Sequence, residues 1–124
     1  MNKVITIDGP SASGKGTLAI LLADRLNWKI LDSGALYRAF AYFSISENDN
    51  RLIEKHLRKI SFNIVDNTIQ VLFENEDISR HLRTEETAIQ ASKISSLPST
   101  REILLPIQRF FSETSNLIAD GRDM

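Results

Sequence analysis

The sequence contains no cysteine and nearly equal numbers of acidic and basic residues, 16 against 15. Without a thiol, the chain can hold neither a disulfide scaffold nor a metal site ligated by cysteine. The net charge of −1 gives no electrostatic reason to expect nucleic-acid or membrane binding. No apolar run approaches the roughly 20 residues of a membrane-spanning helix. The apolar start reaches Asp8 too early for a signal peptide. We therefore expect a cytoplasmic protein.

What is present fits one α/β domain of 124 residues, 42% of them hydrophobic. Residues 4–7 predict a short buried strand that ends in a loop rich in glycine and serine. A helix should follow and close near Asn27, with four leucines on one face at helical spacing: Leu18, Leu21, Leu22 and Leu26. Residues 28–31 predict a second strand, beginning with Trp28 packed against the core. The next helix should carry Leu36, Tyr37, Phe40 and Phe43. This alternation of strands and helices is typical of a parallel sheet.

The pattern changes in the middle of the chain. A helix is indicated by apolar residues at helical spacing: Leu52, Ile53, His56, Leu57 and Ile60. Alternating apolar residues then flank Asp66 and Asn67, which predicts a β-hairpin. His56 lies on an apolar stripe and His81 in a polar connection. Neither has a partner at metal-ligand spacing, so we interpret both as structural.

Two more helices and a strand complete the chain. Thr84 should cap a helix that ends before Pro98. Ser99 should cap the following helix, with Glu102 three residues on. Pro106 inside that helix predicts a kink. Residues 117–119 predict a third core strand. We therefore expect a core formed by about residues 1–39 and 116–124, with residues 40–115 inserted between its strands.

The loop after the first strand has the composition of a phosphate-binding P-loop. It reads Gly9, Pro10, Ser11, Ala12, Ser13, Gly14, Lys15, Gly16 and Thr17. Glycines allow successive backbone N–H groups to point at phosphate oxygens, and the helix N-terminus adds further donors. Lys15 supplies a cation for the β- and γ-phosphates of a nucleoside triphosphate, and Thr17 a hydroxyl near Mg²⁺. The alternative is a glycine-rich turn with a solvated lysine, but the strand before and the helix after favour the P-loop.

Gly16 departs from the usual ending of this motif, and Gly14-Lys15-Gly16-Thr17 resembles the ending found in nucleoside monophosphate kinases. Two further stretches, residues 31–38 and 118–124, resemble signatures of bacterial cytidylate kinases. Residues 83–109 are similar to the acceptor-binding insertion of that family. The resemblance covers essentially the whole chain. It implies an incomplete P-loop nucleoside monophosphate kinase fold of three layers, with an inserted α+β acceptor-binding subdomain.

The resemblance also implies the roles of particular residues. Residues 9–17 would bind ATP, and Thr17 and Asp120 would lie near Mg²⁺, Asp120 through water. Ser33, Tyr37 and Arg38 would contact the phosphate of CMP or dCMP. The cytosine would be recognised by Ser92, Arg101 and Asp123. Arg122 would lie near the acceptor phosphate and the transferred phosphoryl group, so that Lys15, Arg38 and Arg122 form the catalytic set.

Each of these residues has a simpler alternative. Ser33 could be a helix N-cap, with or without a role in binding. Arg38 and Arg101 could be solvated helix residues. Asp120 and Asp123 could be turn carboxylates beside a glycine. For Ser92, only its alignment with the family indicates a role in binding.

The resemblance implies an ATP-dependent kinase that converts CMP and dCMP to their diphosphates and is a monomer when complete. The family pattern continues beyond Met124 with further core strands and a lid that carries arginines. We therefore expect the 124 residues alone to be a poor catalyst, with exposed strand edges and uncovered apolar helix faces. Two alternatives stay open: a non-catalytic nucleotide-binding fragment, and a kinase for AMP, UMP or a non-nucleotide alcohol.

Overall fold

The computed structural model describes residues 2–8 and 15–121, and for Lys15 its backbone alone. Two three-stranded sheets organise this part of the chain. The first is parallel, in the order β1-β6-β2, and comprises β1 (Val4–Ile7), β2 (Lys29–Asp32) and β6 (Leu117–Asp120). The second is antiparallel, in the order β3-β4-β5, and comprises β3 (Ile60–Val65), β4 (Thr68–Phe73) and β5 (Glu76–Asp77). The α/β class and the parallel sheet predicted from the sequence are confirmed.

Six helices connect and cover these sheets in the described part of the chain. They are α1 (Lys15–Leu26), α2 (Ser33–Ser46), α3 (Asn50–Arg58), α4 (Ser79–Leu82), α5 (Glu85–Ser95) and α6 (Pro98–Thr114). Helices α2, α3 and α6 pack on one another, and α2 also packs on β6. The fully buried side chains of the core include Leu31, Leu36, Leu57, Ile107 and Ile118. None of these helices has the length and apolar character required to cross a bilayer.

The first strand and the first helix form where expected, but the predicted burial of the strand is wrong. In β1, which lies at one edge of the sheet, Val4 and Ile5 are exposed. In α1, the small side chains of Ala19 and Ala23 are buried, and the helix packs closely on β6. The leucines predicted on one face of this helix are largely uncovered: Leu18, Leu21 and Leu26 are exposed, and Leu22 is half-buried. The expectation of uncovered apolar surface is thereby confirmed.

The predicted hairpin is confirmed with its turn. Strands β3 and β4 pair from Ile60↔Phe73 to Val65↔Thr68. The two turn residues, Asp66 and Asn67, have φ values of 51° and 60°. Two successive positive φ angles are those of a type I′ turn, which matches the twist of the flanking strands.

The start of α5 is confirmed and the predicted start of α6 is wrong. The Thr84 side chain accepts a hydrogen bond from the Thr87 N–H at 3.2 Å. By contrast, α6 is capped at Leu97 without a side-chain hydrogen bond, and Pro98 is its first residue. Proline suits that position because its fixed φ is helical and its missing N–H would be unpaired there anyway. The helix continues through Pro106 to Thr114.

The predicted boundary between core and insertion stays a prediction. The antiparallel sheet lies within residues 40–115, whereas the parallel sheet is built from residues on both sides of them. Helix α2 runs from Ser33 to Ser46, across the predicted boundary at residues 39 and 40.

Candidate active site

The carboxyl ends of all three parallel strands meet at one edge of the sheet. Ile7 pairs with Asp120 and Asp120 pairs with Asp32, so the three strands end in register. The P-loop sequence begins two residues after Ile7, and α2 begins immediately after Asp32. In open parallel α/β sheets, ligands bind outside the carboxyl ends of the strands. The described elements therefore place a candidate ligand site at this edge.

The junction between β6 and α2 is tightly closed at this edge. The buried Ser33 hydroxyl donates a hydrogen bond to the Asp120 carbonyl oxygen at 2.9 Å. The Gly121 N–H donates to the Ile7 carbonyl oxygen at 3.1 Å. A β-carbon on Gly121 would overlap Ser33 Oγ, and the residue has a φ of 149°. Both the backbone conformation and the lack of space therefore require glycine at position 121.

Asp32, and not Ser33, caps α2. Its Oδ1 accepts a hydrogen bond from the Ala35 N–H at 3.1 Å. The interpretation of Ser33 as the N-cap is therefore wrong, because its hydroxyl is directed to Asp120 instead. The sequence offered both residues as caps, and aspartate and serine are about equally favoured there. Asp32 is the cap because β6 lies beside the start of α2 and accepts the hydrogen bond from Ser33.

Arg38 lies one turn into α2, close to the capping carboxylate. A β-carbon on Gly34 would lie 3.5 Å from Arg38 Nη1 and 3.4 Å from Asp32 Oδ1. Arg38 and Asp32 line a small cleft of about 100 Å³ together with Arg83, at the end of α4. Sequence reasoning did not assign Arg83 to the site. Its only signal was its place at the start of the stretch that resembles the acceptor-binding insertion.

The other predicted substrate residues lie on three helices. Tyr37 is half-buried on α2, next to Arg38. Ser92 is exposed on α5, and Arg101 is exposed in the first turns of α6. Helices α5 and α6 pack against each other. The structure thus brings Ser33, Tyr37 and Arg38 together on α2, and places Ser92 and Arg101 on a neighbouring pair of helices.

Several predicted site residues lie outside the described part of the chain. These are Gly9, Pro10, Ser11, Ala12, Ser13, Gly14, the side chain of Lys15, Arg122 and Asp123. Of the P-loop ending, Gly16 and Thr17 are described within the first turn of α1. Gly16 has open space where a side chain would be, and Thr17 is exposed.

A magnesium ion at this edge would need ligands from a bound nucleotide as well as from the protein. Within residues 2–8 and 15–121, no group of three or more histidines and carboxylates could hold a metal by itself. Thr17 and the buried Asp120 bring a hydroxyl and a carboxylate to the elements around this edge. Mg²⁺ prefers oxygen ligands, and it is usually bound by one or two protein groups together with substrate phosphates.

The two histidines pack against aromatic rings. His81 stacks on Tyr42 with ring centroids 5.3 Å apart. The ring of His56 lies against the rings of Phe43 and Phe73, with centroid distances of 5.1 and 5.2 Å. These contacts agree with the structural roles predicted for both histidines.

A parallel α/β sheet with a P-loop sequence at the carboxyl edge defines the class of P-loop nucleotide-binding proteins. Residues 5–124 match the family model described as cytidylate kinase. The chain is 48% identical over 128 residues to the cytidylate kinase of Photobacterium profundum, an alignment that covers 98% of this chain and 56% of that protein. It is 47% identical to the enzyme of Shewanella loihica, with the same coverage. Against the enzyme of Aeromonas salmonicida, identity is 46%, over all of this chain and 56% of the relative.

The chain belongs to the cytidylate kinase family. Its similarity to these relatives extends over nearly every residue of the chain, including the segments on which the site was built. The chain spans just over half the length of the relatives it matches.

Proposed function

We propose that the protein carrying this sequence catalyses the ATP-dependent phosphorylation of CMP and dCMP to CDP and dCDP. The observation that carries this proposal is the meeting of three strand ends in register at the edge where the P-loop sequence leaves β1. Helix α2 begins at the same edge and supplies Ser33 and Arg38. In this proposal, the P-loop sequence that follows β1 would bind the donor phosphates, and Arg38 of α2 would bind the acceptor phosphate.

The reaction requires no nucleophile from the protein. An oxygen of the acceptor phosphate forms a bond to the γ-phosphorus of ATP, and the bond from that phosphorus to the β,γ-bridging oxygen breaks to release ADP. Catalysis then rests on positioning and on cations that balance charge on the transferred group. We assign Lys15 and the backbone of residues 9–17 to the donor, and Arg38 and Arg122 to the acceptor side.

The ion and the base have their own residues in this proposal. Thr17 would hold Mg²⁺ directly, and Asp120 through water. The ion would neutralise charge on the β- and γ-phosphates. Ser92, Arg101 and Asp123 would recognise cytosine, whose O2 and N3 accept hydrogen bonds and whose N4 amino group donates them. We place the protein in the cytoplasm, as a monomer when complete.

The acceptor assignment is tested by calorimetric titration of the chain with CMP, dCMP, AMP and UMP. We expect CMP and dCMP to bind at least about 10-fold more tightly than AMP or UMP, a difference of about 1.4 kcal/mol. Arg101→Ala should weaken CMP far more than ATP. Equal losses for the two nucleotides would contradict the role of Arg101, and tighter binding of AMP or UMP would favour a different acceptor.

The 124-residue chain should be a slow catalyst by itself. The resemblance places lid arginines in a part of the family pattern that these residues do not include, and a closing lid supplies both charge and exclusion of water. A coupled assay of ADP formation with ATP, Mg²⁺ and CMP checks this. Turnover within the usual range for kinases, about 1–100 per second, would contradict it.

A second candidate is a nucleotide-binding fragment without catalytic activity. The exposed leucines of α1 favour it, because a chain that leaves this much apolar surface uncovered is expected to need a partner. Tight binding of ATP without any transfer to CMP, even when the rest of a relative is supplied, would support this alternative over the kinase.

A further inference from the structure

A cavity opens at the end of the parallel sheet opposite the candidate active site. Lys29 and Leu117, the first residues of β2 and β6, line it. The candidate active site lies at the other end of the same two strands, beyond Asp32 and Asp120. Since a strand rises about 3.3 Å per residue, about 10 Å of sheet separates the two places. A ligand in this cavity would therefore not occupy the candidate active site.

Three aromatic rings form an apolar wall of this cavity, which we call the phenylalanine cavity: Phe62, Phe110 and Phe111. The Phe111 ring links the other two, with centroid distances of 5.9 Å to Phe62 and 6.0 Å to Phe110. Phe62 is buried, whereas Phe110 and Phe111 are only half-buried. The volume of about 350 Å³ falls within the range of small-molecule pockets, roughly 300–1,000 Å³. The cavity is therefore large enough, and apolar enough on one side, for a small aromatic molecule.

The charged residues that line the phenylalanine cavity are both cationic. Lys29 comes from the start of β2 and Arg58 from the end of α3. Among residues 2–8 and 15–121, no acidic residue lines it. Glu54, one turn before Arg58, and Glu113, near the end of α6, are not part of its lining. The charge of the lining therefore favours an anion.

Arg58 lies beside the aromatic wall. Its guanidinium carbon is 5.1 Å from the centroid of the Phe110 ring, a distance typical of a cation–π contact. Within the described part of the chain, the Arg58 side chain forms no ion pair. A guanidinium can bind both oxygens of a carboxylate at once. A ring that packs on Phe110 could thus carry a carboxylate to Arg58.

We propose that the phenylalanine cavity binds a small aromatic carboxylate, with its ring against Phe110 and Phe111 and its carboxylate at Arg58 and Lys29. A nucleotide fits less well, because the polar edges of a base need hydrogen-bond partners that an apolar wall does not offer. Inorganic phosphate would leave the rings uncovered. This inference does not depend on the proposed function, because it concerns the opposite end of the sheet.

The probe is naphthoate, titrated into the chain by calorimetry, and naphthamide is its neutral counterpart of nearly the same shape. We expect naphthoate to bind with a dissociation constant at or below about 1 mM. Naphthamide should bind at least about fivefold more weakly, because it lacks the charge that the cations recognise. Raising the salt from about 50 mM to about 500 mM should weaken naphthoate and leave naphthamide unchanged, because salt screens exposed charges.

Three variants locate the site. Arg58→Gln should weaken naphthoate by about fivefold or more and leave naphthamide within about twofold, because only the contact to the carboxylate is lost. Phe110→Leu should weaken both probes by similar factors, because both pack their rings on the wall. Arg51→Gln is the matched control: this exposed arginine lies in the first turn of the same helix and does not line the cavity. It should change the affinity for naphthoate by less than about twofold.

Several results would overturn the inference: no binding of naphthoate up to about 10 mM, equal binding of naphthamide, or equal losses for Arg58→Gln and Arg51→Gln. Displacement of naphthoate by saturating CMP would also overturn it, because the probe would then occupy the nucleotide site. Circular dichroism melts show whether each variant keeps its fold. Should Arg58→Gln unfold, the salt dependence of the unaltered chain decides, and a naphthoate affinity that salt does not change overturns the inference. Binding of naphthoate by a chain that does not bind CMP would support this inference while the proposed function fails.

Discussion

At the scale of single residues, Gly121 is the position where the fold constrains the sequence most clearly. Its φ of 149° is rarely adopted by residues with a side chain, and Ser33 occupies the space that a side chain would need. Ser33 also holds α2 against β6, because its hydroxyl donates a hydrogen bond to the carbonyl oxygen of Asp120, the residue before Gly121. A change at Gly121 should therefore disturb both the stability of the chain and the geometry of the site.

We predict that Gly121→Ala lowers the free energy of unfolding by about 2–4 kcal/mol, because backbone strain and steric overlap both add to the cost. Gly34→Ala is the control: its added β-carbon would meet Asp32 Oδ1 at an ordinary 3.4 Å. It should be neutral or should stabilise the chain by up to about 1 kcal/mol, because alanine favours the helix. Urea unfolding measures both values. Equal effects of the two substitutions would show that the junction is not constrained as described.

Asp77 is the residue whose ionisation is most clearly tied to the fold. Hydrogen bonds from the Ser79 hydroxyl, the Ser79 N–H and the Gln70 side chain lower the pKa of Asp77 from 3.8 to about 2. A carboxyl whose pKa is lower in the folded state stabilises the protein above its unfolded pKa. That contribution is lost as the pH falls through the folded pKa.

We therefore predict that part of the acid destabilisation of the chain, between about pH 4 and pH 2, comes from Asp77. Asp77→Asn should lower stability at pH 7 and should flatten the fall of the unfolding midpoint over that interval. The side chain of the neighbouring Glu76 makes no hydrogen bond or ion pair within residues 2–8 and 15–121, so Glu76→Gln should leave the acid profile unchanged. Thermal melts from pH 7 to pH 2 give the comparison. Parallel profiles for the unaltered chain and Asp77→Asn would refute the assignment.

At the scale of elements, the hairpin of β3 and β4 is a local structure that its own turn specifies. Asp66 and Asn67 both take the left-handed conformation, which asparagine and aspartate tolerate better than most residues. The following turn, at Glu74 and Asn75, repeats this geometry with φ values of 51° and 69°. The antiparallel sheet thus depends on two consecutive tight turns.

We predict that Asn67→Val destabilises the chain by about 1–2 kcal/mol, because a β-branched residue is strained at positive φ. Asn67→Gly should be neutral or slightly stabilising. The same change at Asn63, an exposed position in the middle of β3, is the matched control. Asn63→Val should be neutral or favourable, because valine suits a strand. Urea unfolding of the three variants measures the contrast, and equal losses for Asn67→Val and Asn63→Val would rule out the turn as the cause.

Elements with local signals could be predicted from the sequence, and their tertiary surroundings could not. The type I′ turn and the Thr84 cap are determined by residues a few positions apart, and both are confirmed. The short strand β5 and helix α4 were missed, because Glu74 and Asn75 form a less typical turn pair than Asn-Gly. The buried face of α1 could not be predicted from the spacing of its leucines, because close packing on β6 selects the small residues Ala19 and Ala23.

The same holds for the candidate site: its local features could be predicted from the sequence, and its tertiary contacts could not. That Asp32 and Asp120 lie at one edge could be predicted, because parallel strands end at the same side of a sheet. Asp32 caps α2, whereas Ser33 binds the carbonyl oxygen of Asp120. This difference could not be predicted, because it depends on the position of β6 beside α2. The small cleft lined by Arg38 and Arg83 could not be predicted, because these two residues are brought together only by the packing of α2, α4 and β4.

At the scale of the whole molecule, the β1 edge of the parallel sheet and the neighbouring helix α1 expose large apolar side chains among the described residues. Val4 and Ile5 of β1 are exposed, as are Leu18 and Leu21 of α1, the latter at 54%. These residues lie on consecutive elements at the edge of the sheet opposite β2. Because the matched relatives are nearly twice as long as the aligned region, we expect polypeptide of that kind to pack on this surface, which we call the β1–α1 surface.

We predict that the part of the Photobacterium profundum cytidylate kinase outside the aligned region, added as a separate polypeptide, raises the unfolding free energy of this chain. The stabilisation should grow with its concentration, because a partner that binds only the folded state stabilises by mass action. Leu21→Lys should reduce it strongly, since burial of a leucine contributes about 1.5–3 kcal/mol and a buried lysine is unfavourable. Ile89 on α5 is equally exposed at 53% and lies on another part of the surface, so Ile89→Lys is the matched control and should leave the stabilisation unchanged. Urea unfolding at several concentrations of the added polypeptide measures the effect. If Ile89→Lys abolishes it and Leu21→Lys does not, the added polypeptide binds elsewhere and the β1–α1 surface is not its docking site.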